Sequence, residues 1–276
     1  MKKGMLKRRG FSLIETVVAM AIMGALLGGS VPLVLQSLGA KRDGVTLERM
    51  TAIHEAIVGD TALGESGFLG DIGGFPGALS DLVSRPAGLS AFAFYTNNIG
   101  YGWRGPYLEL EFGTLKDGWG SAFQYSTADG LPEGQIRSAG RDDTFGTSDD
   151  IVFPYLPAGE KVEKNAPLLV TVQVDDTSVA ADLQGGGIPN PRESTIKVYY
   201  ASNGAEAATP FQTSASGTGF DDVGFVFTTH HGLHAVEYSF ENDAGGVTTN
   251  LFTVELVGGV QSNIVFRHPQ SGHIIP

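Results

Sequence analysis

Two groups of residues in this chain have chemistry to offer, and both are acidic. Asp142, Asp143, Asp149 and Asp150 fall within nine residues of the segment Ser138 to Ile151, with Gly140 and Gly146 placed to turn the backbone sharply. Four carboxylates held this close repel one another unless water or a cation lies between them. Calcium suits such a loop because it takes six to eight oxygens, backbone carbonyls included, in flexible geometry. The spacing of an EF-hand is absent, and a solvated acidic turn is the plain alternative. The second group is one residue, Glu15, the only ionisable side chain between Phe11 and Leu35.

Glu15 needs a partner. A carboxylate near a bilayer interior costs about 3 kcal/mol on insertion scales unless a cation meets it. The apolar run around it is long enough, at about 1.5 Å per helical residue, to cross a hydrocarbon core of roughly 30 Å. Lys2, Lys3, Lys7, Arg8 and Arg9 precede the run and predict a cytoplasmic N-terminus, with everything after residue 40 exported. Gly10 offers a protease an unobstructed bond just before Phe11, and cutting there removes the cations but keeps the helix. The free amine of Phe11, on the same chain or a neighbouring copy, is then the nearest candidate partner for Glu15. The alternatives are ordinary signal cleavage after Ala19-Met20-Ala21 and a glutamate that stays wet at headgroup level. Pro32 is expected to loosen the helix, and Gly24 with Gly28 allows close helix approach.

Other chemistry is poorly represented. No G-x-S-x-G, P-loop, H-E-x-x-H or cysteine nucleophile occurs, so an enzyme is not expected. His230, His231 and His234 invite a zinc reading, but neighbours on a strand point to opposite faces, which favours ordinary turn and strand histidines. The chain has 276 residues, no Cys and a formal charge of −12, which grows more negative when the leader leaves. Such an acidic surface argues against nucleic acid as a partner.

The elements that must position these residues follow from pattern. Leu47, Met50, Ile53 and Ile57 recur at helical spacing, with Arg49, Thr51 and Glu55 opposite, so the helix should continue to Val58 or Ala62 with a soft spot at Gly39 to Gly44. Its first half is uniformly apolar and its second amphipathic. From Gly59 to Tyr107 the composition predicts loops and turns, with a short helix over 78–83. Trp103, Tyr107, Trp119, Phe123 and Tyr125 then supply a small aromatic core. Strand-like runs at 168–174, 195–200, 223–228, 234–240, 249–257 and 264–266 predict a β-sandwich.

The leader ending in Gly10, the following Phe11 and Glu15 as fifth residue after the cut resemble the type IV prepilin family. Gly24 and Pro32 fall where that family often places a Gly and a helix-bending Pro. The phrase Trp103-Arg104-Gly105-Pro106-Tyr107-Leu108, the Asp117-Gly118-Trp119-Gly120 turn and the acidic loop resemble, in the same order, the major pseudopilin of type II secretion systems. Gly118 stands where that family usually has Pro, and Ser121-Ala122-Phe123 replaces its usual Asn-Pro-Tyr. The hairpin from Gly232 to Gly246 resembles bacterial immunoglobulin-like modules.

These resemblances imply an α+β chain: leader 1–10, N-terminal helix 11–60 with its membrane part at 11–35, a pilin-type domain with a calcium loop at 61–156, and an immunoglobulin-like β-sandwich at 157–276. They imply cleavage at Gly10 and methylation of Phe11 by a prepilin peptidase, and assembly through Glu15, Gly24 and Pro32. Calcium would be held by Asp142, Asp149 and Asp150, with carbonyls of Ala139 and Phe145. Implied partners are copies of the chain, other pilin-like subunits, an inner-membrane assembly platform and, before assembly, membrane lipid. The implied location is a single inner-membrane pass leading to a periplasmic or surface filament of secretion or pilus type. A minor tip subunit whose sandwich recognises cargo or a surface is the alternative.

Overall fold

The computed structural model describes residues 12–60, 65–95, 97–109, 115–125, 130–173, 193–210, 212–215, 223–241 and 247–267, without the side chains of residues 27, 29–32, 173, 193–194, 213–215, 223, 240–241 and 267. The leader, Gly10, Phe11 and Ala62 lie outside these residues, as does the side chain of Pro32. Helix α1 spans Leu13–Val58 and stays helical through residue 32 and through Gly39 to Gly44, so the expected soft spot is not there. At 46 residues it is about 70 Å long. Ser12 caps it, its hydroxyl accepting from the Glu15 N–H at 3.2 Å.

The far half of α1 forms one wall of a core. Met50, Ile53, Ala56 and Ile57 are buried against Phe68, Ile72, Leu79, Leu82, Leu108 and Ile136, with Trp103, Tyr107, Phe123, Tyr125 and Phe153 at the margin. Leu47 departs from expectation: it is 46% exposed, and the stripe continues instead through fully buried Thr46. The loop segment after α1 contains a helix that composition did not reveal, α2 at Gly67–Ile72, all six residues buried. The expected helix over 78–83 is a single 3-10 turn, Leu79–Leu82. Two short hairpins complete this unit: β1 (Ala93–Phe94) with β2 (Gly100–Tyr101), and β3 (Ile136–Ser138) with β4 (Ile151–Phe153).

The β-rich C-terminal region follows as two facing sheets. The strands are β5 (Asn165–Gln173), β6 (Glu193–Ser202), β7 (Ala205–Ala208), β8 (Gln212–Ala215), β9 (Val223–His230), β10 (Gly232–Glu241), β11 (Val247–Leu256) and β12 (Ser262–Arg267). One sheet runs β11-β10-β6-β7 with β8 also paired to β6; the other runs β12-β5-β9, with β12 parallel to β5. Alternate residues of both sheets meet in one core, among them Leu168, Val170, Ile196, Val198, Phe225, Phe227, Val236, Tyr238 and Phe266. This is how period-two burial makes a sandwich.

The sheets do not hang free of the helical unit. Ala201, Ala235 and Tyr199 pack on Tyr95, Ile99 and Tyr101. Asn97 donates to the Glu206 carboxylate at 2.6 Å, and the Gly204 N–H reaches the Ile72 carbonyl at 3.0 Å.

Candidate assembly helix and acidic loop

The first half of α1 is bare. Leu13 is 83% exposed, and Ile14, Val17, Val18, Met20, Ile22, Met23, Leu26, Leu33, Val34, Leu35 and Leu38 are exposed with it. So much exposed apolar surface along one helix has no stable place in water alone. Among the described residues, no helix is long and apolar enough to cross a membrane; residues 27 and 29–32, in the middle of the apolar run, are not among those whose side chains are described. Glu15 is exposed at the third helical position. Ser12 and Glu15 are spaced as an S-x-x-E cap, a signal in the sequence that marks where this helix begins. Gly24 and Gly28 face open space, with nothing within 4 Å of where a Cβ would stand.

Below the bare half, a buried carboxylate ties the helix to the acidic region. Asp117 is 1% exposed. Its Oδ1 accepts from the backbone N–H groups of Trp119, Gly120 and Ser121 at 2.9, 2.8 and 2.8 Å, and its Oδ2 accepts from the Ser138 hydroxyl at 2.5 Å. A single carboxylate thus closes a turn that no strand or helix satisfies. The turn is fastened to α1: the Gly118 N–H donates to the Thr46 hydroxyl at 2.9 Å, and Arg49 donates to the carbonyls of Lys116 and Asp117 at 2.8 and 2.9 Å. A Cβ at Gly118 would stand 2.2 Å from the Arg42 carbonyl. That contact accounts for the departure from the family pattern at this position, since a proline there has neither the room nor the N–H. The Trp119 indole donates to Asp43 at 3.0 Å, beneath the Arg42 guanidinium.

The acidic loop sits next to this turn. Gly140, at φ +64°, lets the backbone pass so near Asp149 that a Cβ would meet the Asp149 carbonyl at 2.2 Å. Asp149 Oδ2 accepts from the N–H groups of Arg141 and Asp142 at 2.8 and 3.1 Å, and Oδ1 accepts from the Thr147 hydroxyl at 2.7 Å. These bonds, with the Thr147 hydroxyl foremost, hold the Asp149 carboxyl below its ordinary range. Asp150 accepts from the Gly146 N–H at 2.8 Å and lies 3.8 Å from Arg137. Asp142 accepts from the Thr144 N–H at 2.9 Å, and Asp143 accepts from the Ser121 hydroxyl. Ala139 is buried at the start of a 3-10 turn, Gly140–Asp142, and Phe145 is exposed.

The five expected calcium ligands are therefore brought into one loop, and their oxygens are of the hard type calcium takes. They are not gathered into a ligand set: among the described residues no three acidic or histidine side chains converge as a metal site. As it stands, the loop is closed by carboxylates that accept backbone amides. Between it and α1 runs a groove lined by Leu35, Gly39, Asp43, Trp119, Arg141 and Asp149.

The phrase at 103–107 has a comparable role on the other side of the core. Arg104 and the Tyr107 hydroxyl meet Asp71 Oδ2 at 3.0 and 2.9 Å, and the Trp103 indole donates to the Asp81 carbonyl at 2.9 Å. Burial pushes the Asp71 carboxyl up to about 6, against the opposing pull of Arg104 and the Tyr107 bond.

Two family models match the chain. The prokaryotic N-terminal methylation motif covers residues 5–31, and the type II secretion system protein G covers residues 78–153. The first takes in the end of the expected leader and most of the bare half-helix; the second takes in the 103–107 phrase, the Asp117 turn and the acidic loop. No curated protein and no solved structure matches the chain.

Proposed function

We propose that this chain, a type IV prepilin-like protein allied to the major pseudopilin of type II secretion, is a structural subunit of a secretion pseudopilus or a related pilus-like filament. The observation that carries the reading is the bare apolar half of α1, twelve large apolar side chains exposed along one helix with a single carboxylate near its start. Lipid covers it first, in an inner-membrane pass with the N-terminus in the cytoplasm; sister helices cover it afterwards. Pilin and pseudopilin families are structural rather than enzymatic, and the chain's role is mechanical.

In this reading a prepilin peptidase cuts after Gly10 and methylates the amine of Phe11. Glu15 then takes the Phe11 amine of a neighbour, so an unpaired acid in the membrane becomes a force for ordered packing. Gly24 and Gly28 leave room for a sister helix, and Pro32 supplies give in the packed stem. The domain limits at 60 and 156 and the immunoglobulin-like character of the sandwich belong to the same proposal. So does calcium at Asp142, Asp149 and Asp150 with the carbonyls of Ala139 and Phe145, which requires Asp149 to exchange amide partners for the ion. Electron microscopy of sheared surface material, with the N-terminus of its main protein read by mass spectrometry, tests the core of this reading. A filament whose subunit begins at methylated Phe11 is expected; a full-length precursor dispersed in the membrane would overturn it.

A further inference from the structure

Among the described strands at sheet edges, β11 is the longest, with ten residues against four in β7, four in β8, six in β12 and eight in β9. It holds no proline, glycine or lysine, and Glu255 is its single charge. Natural edges are usually blunted by brevity, charge, proline or cover, because a row of unpaired N–H and C=O groups is a template for another strand. β9 has some such cover, since the Gln212 amide reaches the Val226 carbonyl at 3.5 Å. On β11 every side chain from Thr249 to Thr253 is exposed, on both faces of the strand. Phe252 lies on the core side, opposite buried Val236 and 4.7 Å from the Phe266 ring, yet it is 42% exposed. We propose that the β11 edge pairs with the β11 edge of a second copy of this chain, antiparallel about a two-fold axis through Leu251, joining two sandwiches through one continuous sheet.

The ladder decides which groups the edge offers. The Val198 carbonyl of β6 accepts from the Thr209 N–H at 2.8 Å, on the side of β7, so the backbone of Val198 turns away from β10. Counted across the paired residues of β6, β10 and β11, the even-numbered residues of β11 bond to β10. Val247, Thr249, Leu251, Thr253 and Glu255 therefore turn their N–H and C=O groups outward. Pairing about Leu251 uses all five: Leu251 meets its own mate, Thr249 meets Thr253 and Val247 meets Glu255. Moving the axis to Asn250 or Phe252 leaves one of the five unpaired. The side chains agree with this register, since threonine faces threonine, leucine faces leucine, and the two carboxylates face valines instead of each other. Self-pairing of one patch on both copies closes the contact as a dimer.

The register also fixes how the two copies lie. Leu256 pairs with Gly232, and a Cβ on Gly70 would stand 3.1 Å from the Gly232 Cα, so this end of β11 is where the sandwich meets α2. An antiparallel pair sets those ends at opposite limits of the joined sheet. The helical units of the two copies are therefore kept apart, which suits subunits of two neighbouring filaments better than neighbours in one membrane. That placement rests on the filament reading above; the pairing rests on the sandwich alone.

The chain has no cysteine, so single substitutions in the full chain in detergent read the register. Leu251, Thr249 and Thr253 are exposed, and a cysteine at each leaves the core untouched. In the proposed dimer two Leu251→Cys chains hold their Cα atoms about 5.5 Å apart, and two Thr249→Cys chains about 14 Å. A short bifunctional thiol reagent is expected to link Leu251→Cys at least about tenfold faster than Thr249→Cys, and to link a mixture of Thr249→Cys and Thr253→Cys chains well above either alone. Adding Leu251→Lys to both chains of the mixture sets two ammonium groups together on the axis. It is expected to abolish the mixed product, with strand content by circular dichroism unchanged. The linking requires neither cleavage at Gly10 nor filament assembly, so its failure is separate from a failure of the filament reading. If Leu251→Cys does not fold, the mixture decides the matter. Equal linking of Leu251→Cys and Thr249→Cys, a mixture that links no faster than its components, or a mixed product that survives Leu251→Lys would each overturn the pairing. An edge kept for another protein's strand leaves all these chains unlinked, which overturns it as well.

Discussion

The two halves of α1 are one continuous helix with opposite fates. The apolar side chains described between Leu13 and Leu38 are exposed; from Thr46 to Ile57 the stripe of Met50, Ile53, Ala56 and Ile57 is sealed under aromatics and loops. Helix propensity does not separate them. What separates them is tertiary cover: the second half has a stripe at one angular position and a unit folded over it, while the first has exposed apolar residues that nothing among the described residues buries. The same polypeptide thus carries one half that is sealed within its own fold and one that the described residues leave uncovered.

Truncations along the helix should expose the contrast. Ile57→Ala leaves a cavity in a fully buried site and is expected to lower the stability of the globular part by about 3 kcal/mol. The same change at Ile22, 55% exposed, is expected to stay within about 0.5 kcal/mol in chemical denaturation, while reducing filament yield. A comparable loss at both positions would erase the distinction. Asp117→Ala strips four hydrogen bonds from one buried carboxylate and is expected to cost about 3 kcal/mol, read as a lowered melting temperature and loosened protection of the amides at 119–121.

The pH dependence should sharpen it further, because two buried groups pull in opposite directions. Asp71 titrates near 6 in the fold against about 4 unfolded, so its contribution of up to about 3 kcal/mol is present at low pH and lost as the pH rises through 6. His234, held down to about 4, contributes in the opposite sense: its stability is present above about 6.5 and lost as the pH falls toward 4. Between pH 4 and 6 the two largely cancel. Asp71→Asn is expected to remove the first and leave stability rising with pH across that window; a variant with a profile parallel to wild type would contradict the assignment. The smallest expected effect is a melting shift of a few degrees between calcium and chelator, abolished by Asp149→Ala; identical wild-type curves would remove calcium from the account.

Much of this was readable beforehand where one physical term dominates. Apolar patterning located α1 through Val58 and six of the eight sandwich strands, because period and burial agree there. The short β7 and β8 carry too few residues to show a period. Helix α2, Gly-Phe-Leu-Gly-Asp-Ile, has two glycines against a single strong helix former, Leu69, and burial of all six residues holds it. Leu47 was placed one residue out of phase because Thr46 reads as polar, though its hydroxyl is spent on the Arg42 carbonyl and the Gly118 N–H. The gathering of the acidic residues was plain from spacing. The hub role of Asp117 was not, since an Asp before Gly also marks any exposed turn and only burial distinguishes the two. Nothing in the pattern announced that the sandwich docks on the helical unit, because on the sandwich side the contact rests largely on small residues, Ala201, Gly232 and Ala235, that carry no periodic signal of their own.

The most direct test of the central claim is the filament yield of Glu15→Ala, measured by electron microscopy beside the melting temperature of the same purified chain. The account predicts filaments lost by at least tenfold while the melting temperature stays within a degree of wild type. Filaments at the wild-type level, or a matching collapse in melting temperature, would contradict a helix whose first half serves assembly and whose second half serves the fold.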